Sequence, residues 1–535
     1  MRELRLIWSI YLICGLGMSW AQTKLPVYNV LDYGAQTDTQ TLSTRGIQQA
    51  IDAAHSAGGG TVYLPPGNYL SGSLQLKSYV SLHLEAGATL FASRRSQDFG
   101  LEGSRLKQPV LIYASKAEHI AIRGKGRIHG QGRRSYEDLK KVDNFIKDIT
   151  RNAEEFGVEM KMYYRVAPWV STIFMHLCKD VTIEDISVID AGFWLMDLKQ
   201  CQRVFIRGAY LESDLDQGVN ADGIDIDGCQ DVTISDCIVY TGDDAIVLKA
   251  NQNPEGKYDC ENVTVSNCVV SSTSTGLKLG TESYGNIRHI VFNNCVVRNS
   301  NRGLSIVVRD GATVENVIFS NITIETNRKH FNWWGDGDPI WVVLKKRRAS
   351  SKLGTIKNVL FENIIAHGQG TSRIEGYTPD TLHPEGGYLH NIQLRNVQLT
   401  MYPEAYADKR ATHGFEAHHV DGLVLEDVKI EWDEDAPEPR WQSGISISEV
   451  KNLRMDEIET RQGLSASNHP AVSLHNIEEA LLSDLHALPG TGTMLQISGS
   501  NTNKIFFRGL DVFGRSRTKL QKTSSLKAEA VTKVD

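Results

Sequence analysis

Two short segments concentrate the acidic chemistry of this chain: Asn220-Ala221-Asp222-Gly223-Ile224-Asp225 and Gly242-Asp243-Asp244-Ala245. Carboxylates held within a few ångströms repel, and the repulsion pushes one pKa upward, leaving a protonated acid beside ionised partners. That is the pairing needed for acid/base cleavage of a glycosidic bond. The same cluster suits Ca²⁺, a hard cation bound by carboxylate oxygens, and a lone Asp-Asp is more often a solvated bend. Spacing leaves these readings open. All depend on a scaffold that brings the two segments together.

An internal repeat supplies one. Short alternating strands recur as Asp180-Val181-Thr182-Ile183, Asp231-Val232-Thr233-Ile234, Asn262-Val263-Thr264-Val265, Asn316-Val317-Ile318-Phe319 and Asn358-Val359-Leu360-Phe361. Their first apolar residues fall at 181, 204, 232, 263, 290, 317, 359, 392, 423 and 453, in steps of 23 to 42 residues. Such periods mark units that bury their apolar faces against one another. Two positions on, the column is apolar throughout, and four positions on it is mostly Asp or Asn. Asn at a bend tolerates left-handed geometry and can bond to its copy one coil away. A leucine-rich repeat would need a Leu-dominated unit, and a propeller four strands per ~40 to 45 residues. The expected fold is all-β: a right-handed parallel β-helix, with a short capping helix from Arg45 to His55, where Ile47, Ala50, Ile51 and Ala54 share one face. Coils lie ~4.8 Å apart, so Asp222, Asp243 and Asp244 should converge on one outward face.

The chain has 535 residues, too many for one compact core. Its 57 Lys and Arg against 64 Asp and Glu give a net charge of -7, which offers no overall basic footprint for nucleic acid. Arg2 and Arg5 followed by the apolar run Leu6 to Trp20 read as a signal peptide over residues 1–21, shorter than a membrane span needs. Lipidation at Cys14 is the minor alternative, since Ile13 suits a lipobox poorly. Residues 22–515 form the expected β-helix, with a helical excursion over about 135–162, and 516–535 are expected to be a disordered tail. Export, no later membrane span and a monomeric capped solenoid follow. Cys237, Cys268 and Cys295 fall at one repeat position and read as stacked core residues, not a disulfide framework or a zinc site.

The acidic segments, with Lys249, resemble the Asn-Thr-Asp and Asp-Asp signatures of glycoside hydrolase family 28, the polygalacturonase and rhamnogalacturonan hydrolase-like family. The resemblance covers most of the chain beyond residue 21, extending to Asp32-Tyr33-Gly34-Ala35, Gly58-Gly59-Gly60-Thr61-Val62, Leu64-Pro65-Pro66-Gly67 and Trp333-Trp334-Gly335-Asp336. It implies the β-helix fold and an inverting hydrolase of polysaccharide or oligosaccharide substrates. Asp243 would be the general acid and Asp222 and Asp244 would activate water, with no metal or other cofactor. Inversion calls for carboxyls ~6.5 to 9.5 Å apart.

The chain also departs from the family pattern. Thr275 stands where the family has the His of Gly-His-Gly, and Ser305 and Val307 where it has the cations of Arg-x-Lys. In the family these basic residues are associated with a galacturonate carboxylate, so a rhamnogalacturonan-type or branched pectic glycan is expected over plain homogalacturonan. Asn220, Lys249, Lys278, Glu282, Arg302, Arg309, Trp333 and Trp334 are the candidate substrate contacts. Glu282, in Gly280-Thr281-Glu282, points to chain-end cleavage, and Trp333, Trp334 and Trp341 occupy the longest repeat step. His413, His418 and His419 cluster without ligand spacing. A Ca²⁺-dependent lyase and a non-catalytic glycan-binding solenoid are the competing readings.

Overall fold

The computed structural model describes residues 26–100, 109–138, 151, 153–253, 256–329, 335–381, 383–384, 386–433, 435–465 and 467–534. The signal-peptide stretch, Cys14, Trp333 and Trp334 lie outside them.

The chain winds as a right-handed parallel β-helix. A typical coil carries three strands, such as Ile224–Asp227, Gln230–Ser235 and Ile238–Thr241, each paired in parallel with its counterpart on the next coil. The repeat found in the sequence is the register of this stack. Val181 pairs with Val204, Val204 with Val232, Val232 with Val263, and so on without a slip through Ile290, Val317, Val359, Ile392, Leu423 and Leu453. Alternation turns every second side chain inward, so the column two positions on, from Ile183 to Leu425, is buried. Phe292, Phe319 and Phe361 stack there with centroids 4.8 and 5.1 Å apart and nearly parallel rings. Full burial of such a side chain contributes ~1.5–3 kcal/mol.

Bends are fixed by side-chain ladders. Asn321, Asn363 and Asn396 all have positive φ, near 56°, 55° and 50°. The Asn363 amide donates to Asn321 at 2.9 Å and the Asn396 amide to Asn363 at 2.8 Å. A second ladder runs through Asn316, Asn358 and Asn391. The open end is covered by α1, Thr44–Ser56, which buries Ile47, Ala50, Ile51 and Ala54. The seven described cysteines are free and buried.

Two expectations change. The excursion is helical only around residues 151 and 153–155 among its described residues. Its limbs Tyr136–Asp138 and Tyr163–Arg165 instead pair as antiparallel strands, and the Tyr136 hydroxyl donates to Ala191 O at 3.1 Å, tying the arm to the coils. The tail is also ordered: Thr518–Lys522 and Val531–Lys533 add parallel strands to the last coils. Leu520 and Leu526 pack on the core beside buried Ala530 and Val531, a few apolar residues that its Lys, Ser and Thr content obscures.

Candidate active site

The strand register builds the site. Aligning the starts of successive strands stacks Trp194, Asp222, Asp244, Thr275 and Arg302 in one column on adjacent coils. The backbone confirms it: Leu195 N donates to Asp222 O, Gly223 N to Asp244 O and Ala245 N to Thr275 O. The coil-to-coil neighbour of Asp222 is therefore Asp244, and Asp243 precedes it on the Ala221 rung. Gly242 makes this turn possible, since a Cβ there would fall 2.2 Å from Asp214 O. The turn is pinned by Gly242 N donating to Ser213 Oγ at 2.9 Å, and by the Ser272 and Thr273 hydroxyls donating to Asp243 O and Gly242 O, both at 2.6 Å.

Asp222, Asp243 and Asp244 each place an oxygen within 4.8 Å of the others. They line a cleft of about 420 Å³, although each is 5% exposed or less. Lys249 Nζ donates to Asp222 Oδ2 at 3.0 Å and also to Asp225. Lys278 Nζ donates to Asp244 Oδ2 at 2.6 Å and Ser274 Oγ to Asp244 Oδ1 at 2.8 Å. Asn220 Nδ2 donates to Asp243 Oδ2 at 3.3 Å. The two ammoniums neutralise enough charge for the carboxylates to crowd, so their closest oxygens lie nearer than the ~6.5–9.5 Å carboxyl separation tied to inversion. Asp222 Oδ1 is buried and, among the described residues, accepts no hydrogen bond.

Burial, then the charges of Asp222 and Asp244, pushes the Asp243 carboxyl well above the usual range. Asp222 is raised by burial and Asp244 against the pull of Lys249. Burial disfavours a charged Lys249, but Asp222 and Asp225 outweigh it and hold the ammonium well above its ordinary pKa. The three aspartates have the spacing of a metal site, but Lys249 and Lys278 already stand against two of them as counter-charges.

The structure brings Asn220, Lys249, Lys278 and Glu282 together with the triad along the cleft. Arg302 and Arg309 do not line it. Arg302 is 7% exposed, ion-paired with Asp338 at 3.0 Å and stacked 3.6 Å over the Trp341 ring. Arg309 follows Val308, which pairs with Thr281, so it lies a rung beyond Glu282, and its Nε is buried without a partner. Thr275 is buried between Asp244 and Arg302, and Ser305 is fully buried. Val307 packs against Trp341 and Val343 in an apolar cluster. His418 and His419 contact each other at 3.0 Å, away from the triad.

Sequence reading missed Trp194, Lys199, Asp227, Asn251, Gln252 and Ser274 on the cleft wall. Trp194 was findable, because it stands two residues before its strand, as Asp222 does one coil later.

A parallel solenoid with an outward cleft built round three carboxylates is the architecture of a carbohydrate-active β-helix. The family model for glycosyl hydrolases family 28 matches residues 58–331, and the chain belongs to that family. A probable polygalacturonase of Vitis vinifera is 24% identical over 281 residues, covering 49% of this chain and 53% of the relative. The chain thus spans about half the length of that relative. Two solved structures share the fold. One is an exopolygalacturonase from Thermotoga maritima (22% identity, TM-score 0.57, covering 76% of this chain and 92% of that one). The other is a family 28 exopolygalacturonase from Yersinia enterocolitica (21% identity, TM-score 0.59, covering 80% and 78%).

Proposed function

We propose that this protein is a glycoside hydrolase that cuts a pectic glycan with inversion. The observation that carries the reading is the convergence of three carboxylates from two adjacent coils, one of which, Asp243, is pushed well above the usual carboxyl range by burial and by its neighbours. Asp243 gives its proton to the leaving oxygen as the glycosidic C–O bond breaks. A water accepted by Asp222 Oδ1 attacks the anomeric carbon from the opposite face, and its proton passes to the Asp222 and Asp244 pair. Lys249 and Lys278 fix those two carboxylates and keep their repulsion from opening the site.

The finer reading is a rhamnogalacturonan-type or branched pectic substrate. The rungs on the C-terminal side of the triad hold Thr275, Ser305 and Val307, all buried, so none of them offers a cation to a uronate there. Arg309 and the turn bearing Glu282 are the remaining candidate contacts there. The Gly280-Thr281-Glu282 turn, whose Glu282 lines the cleft, favours attack at chain ends, and an exported monomer belongs to the same reading.

The test is product analysis on defined pectic oligosaccharides. Reducing ends should appear fastest from rhamnogalacturonan-type chains, and proton NMR should show the first-formed anomer inverted. A retained anomer would show that the close carboxylates work through a covalent intermediate. An unsaturated, ultraviolet-absorbing product abolished by chelator would replace hydrolysis by elimination, and glycan binding without product would leave a binding solenoid.

A further inference from the structure

Among the described residues, several buried or half-buried arginines are held by carboxylates, whereas others, Arg309 with its unpartnered Nε among them, are not. Arg302, Arg328, Arg347, Arg373 and Arg410 each pair with a carboxylate within 3.1 Å. Arg165 does not. It ends the strand Tyr163–Arg165 that returns from the excursion, and among the described residues its guanidinium makes no hydrogen bond or ion pair. It lies 4.0 Å over the ring of Phe193 and 4.9 Å from that of Trp169, and its Nη1 is buried without a partner. Burial pulls its pKa down, offset in part by Tyr136, Asp222 and Asp243.

A half-buried guanidinium with one unpartnered nitrogen is costly, because that donor loses water and gains nothing. Aromatic faces hold it in place electrostatically without using its N–H groups. Arg165 is not itself among the residues lining the cleft, but it stands next to them. Phe193, under Arg165, has its ring centroid 4.4 Å from that of Trp194. Trp194 lines the cleft and stands one coil below Asp222.

We infer that Arg165 is a specificity-determining residue which receives a sugar carboxylate on the N-terminal side of the triad, so that a uronate is the unit bound there. This rests on the glycan reading above and sharpens it: the positive charge absent at 275, 305 and 307 on one flank is supplied on the other, from the excursion. Its planar fork matches a carboxylate with two parallel hydrogen bonds. The unit on the far side of the cut is then the neutral one, in keeping with an alternating acidic and neutral chain.

The experiment measures binding, so it does not depend on turnover. Full-length D243N is titrated calorimetrically with digalacturonate and with its carboxyl-reduced, neutral counterpart. The acidic sugar should bind at least tenfold more tightly. Adding R165Q should erase that preference by weakening only the acidic sugar, and R165K should restore part of it, since it keeps the charge but loses the fork. Thermal unfolding checks that the variants are folded, and the comparison of the two sugars on D243N alone needs no change at Arg165. Absence of any preference in D243N overturns the proposal. So does a preference that survives R165Q, or an equal loss for both sugars, which would make Arg165 a wall that only shapes the cleft. Failure of the hydrolase reading shows separately, as no cleavage of any pectic oligosaccharide by the unaltered protein.

Discussion

The asparagine ladder and the acidic turn use one geometry for opposite ends. Both stack like residues on adjacent coils. In the ladder each amide donates to the one below and accepts from the one above, Asn396 to Asn363 to Asn321, so repetition satisfies every member. In the turn the stacked groups are Asp222 and Asp244, which have only acceptors when ionised. They hold together because Lys249 pairs with Asp222 and Lys278 with Asp244, and burial, with the repulsion that remains, is what raises Asp243. A solenoid repeats neutral amides at almost no cost, whereas repeated carboxylates require counter-ions and store the electrostatic tension that acid/base chemistry uses.

The largest effect should come from removing the raised acid. D243N replaces the proposed proton donor by a neutral amide of the same shape, so turnover of a pectic oligosaccharide should fall at least ~10²-fold while thermal stability is kept. An unchanged rate would show that the cluster is a structural analogue of the ladder and not its functional opposite.

Removing the counter-ion should be nearly as severe for the opposite reason. K249M leaves Asp222 and Asp225 buried and uncompensated, and losing one partner of such a buried set costs ~3–5 kcal/mol. Denaturant unfolding should show that loss, with activity falling alongside. A stability loss below ~1 kcal/mol would mean that the carboxylates protonate without strain.

Titration separates the two turns further. Asp243 binds its proton more tightly folded than unfolded, so its contribution to stability is full below the unfolded pKa, near ~4, and is lost as pH rises through the raised folded value. Activity should fall over the same rise as the general acid ionises, and D243N should flatten the Asp243 part of the stability slope. A wild-type slope identical to that of D243N would refute the raised carboxyl.

The two turns were not equally legible. The ladder could be read from sequence because the column recurs at every repeat and each member predicts the next. The convergence of the acids was legible too, since the coils bearing them follow one another. The rung was not: coils differ in length, and only the strand starts show that Asp222 neighbours Asp244 rather than Asp243. Arg302 misled because its partner, Asp338, comes from the following insertion, and a cation looks equally available until that carboxylate is placed. Arg165 escaped notice because its importance lies in what it fails to bond.

The smallest effect should come from the ladder itself. Asn363 is exposed at φ 55°, donating to Asn321 and accepting from Asn396. N363A places a Cβ residue without a local side-chain hydrogen bond in left-handed geometry, at a cost of ~1–2 kcal/mol, and leaves both neighbours to solvent. N363G removes the steric part and keeps only the broken ladder, so it should lose less than N363A, and neither should change turnover, because the ladder lies away from the cleft. Chemical denaturation of the two variants beside the parent gives the order directly. If N363G were as damaging as N363A, the hydrogen bonds rather than the backbone geometry would hold the bend, and the ladder would be a load shared between coils, closer in kind to the lysine-bridged turn.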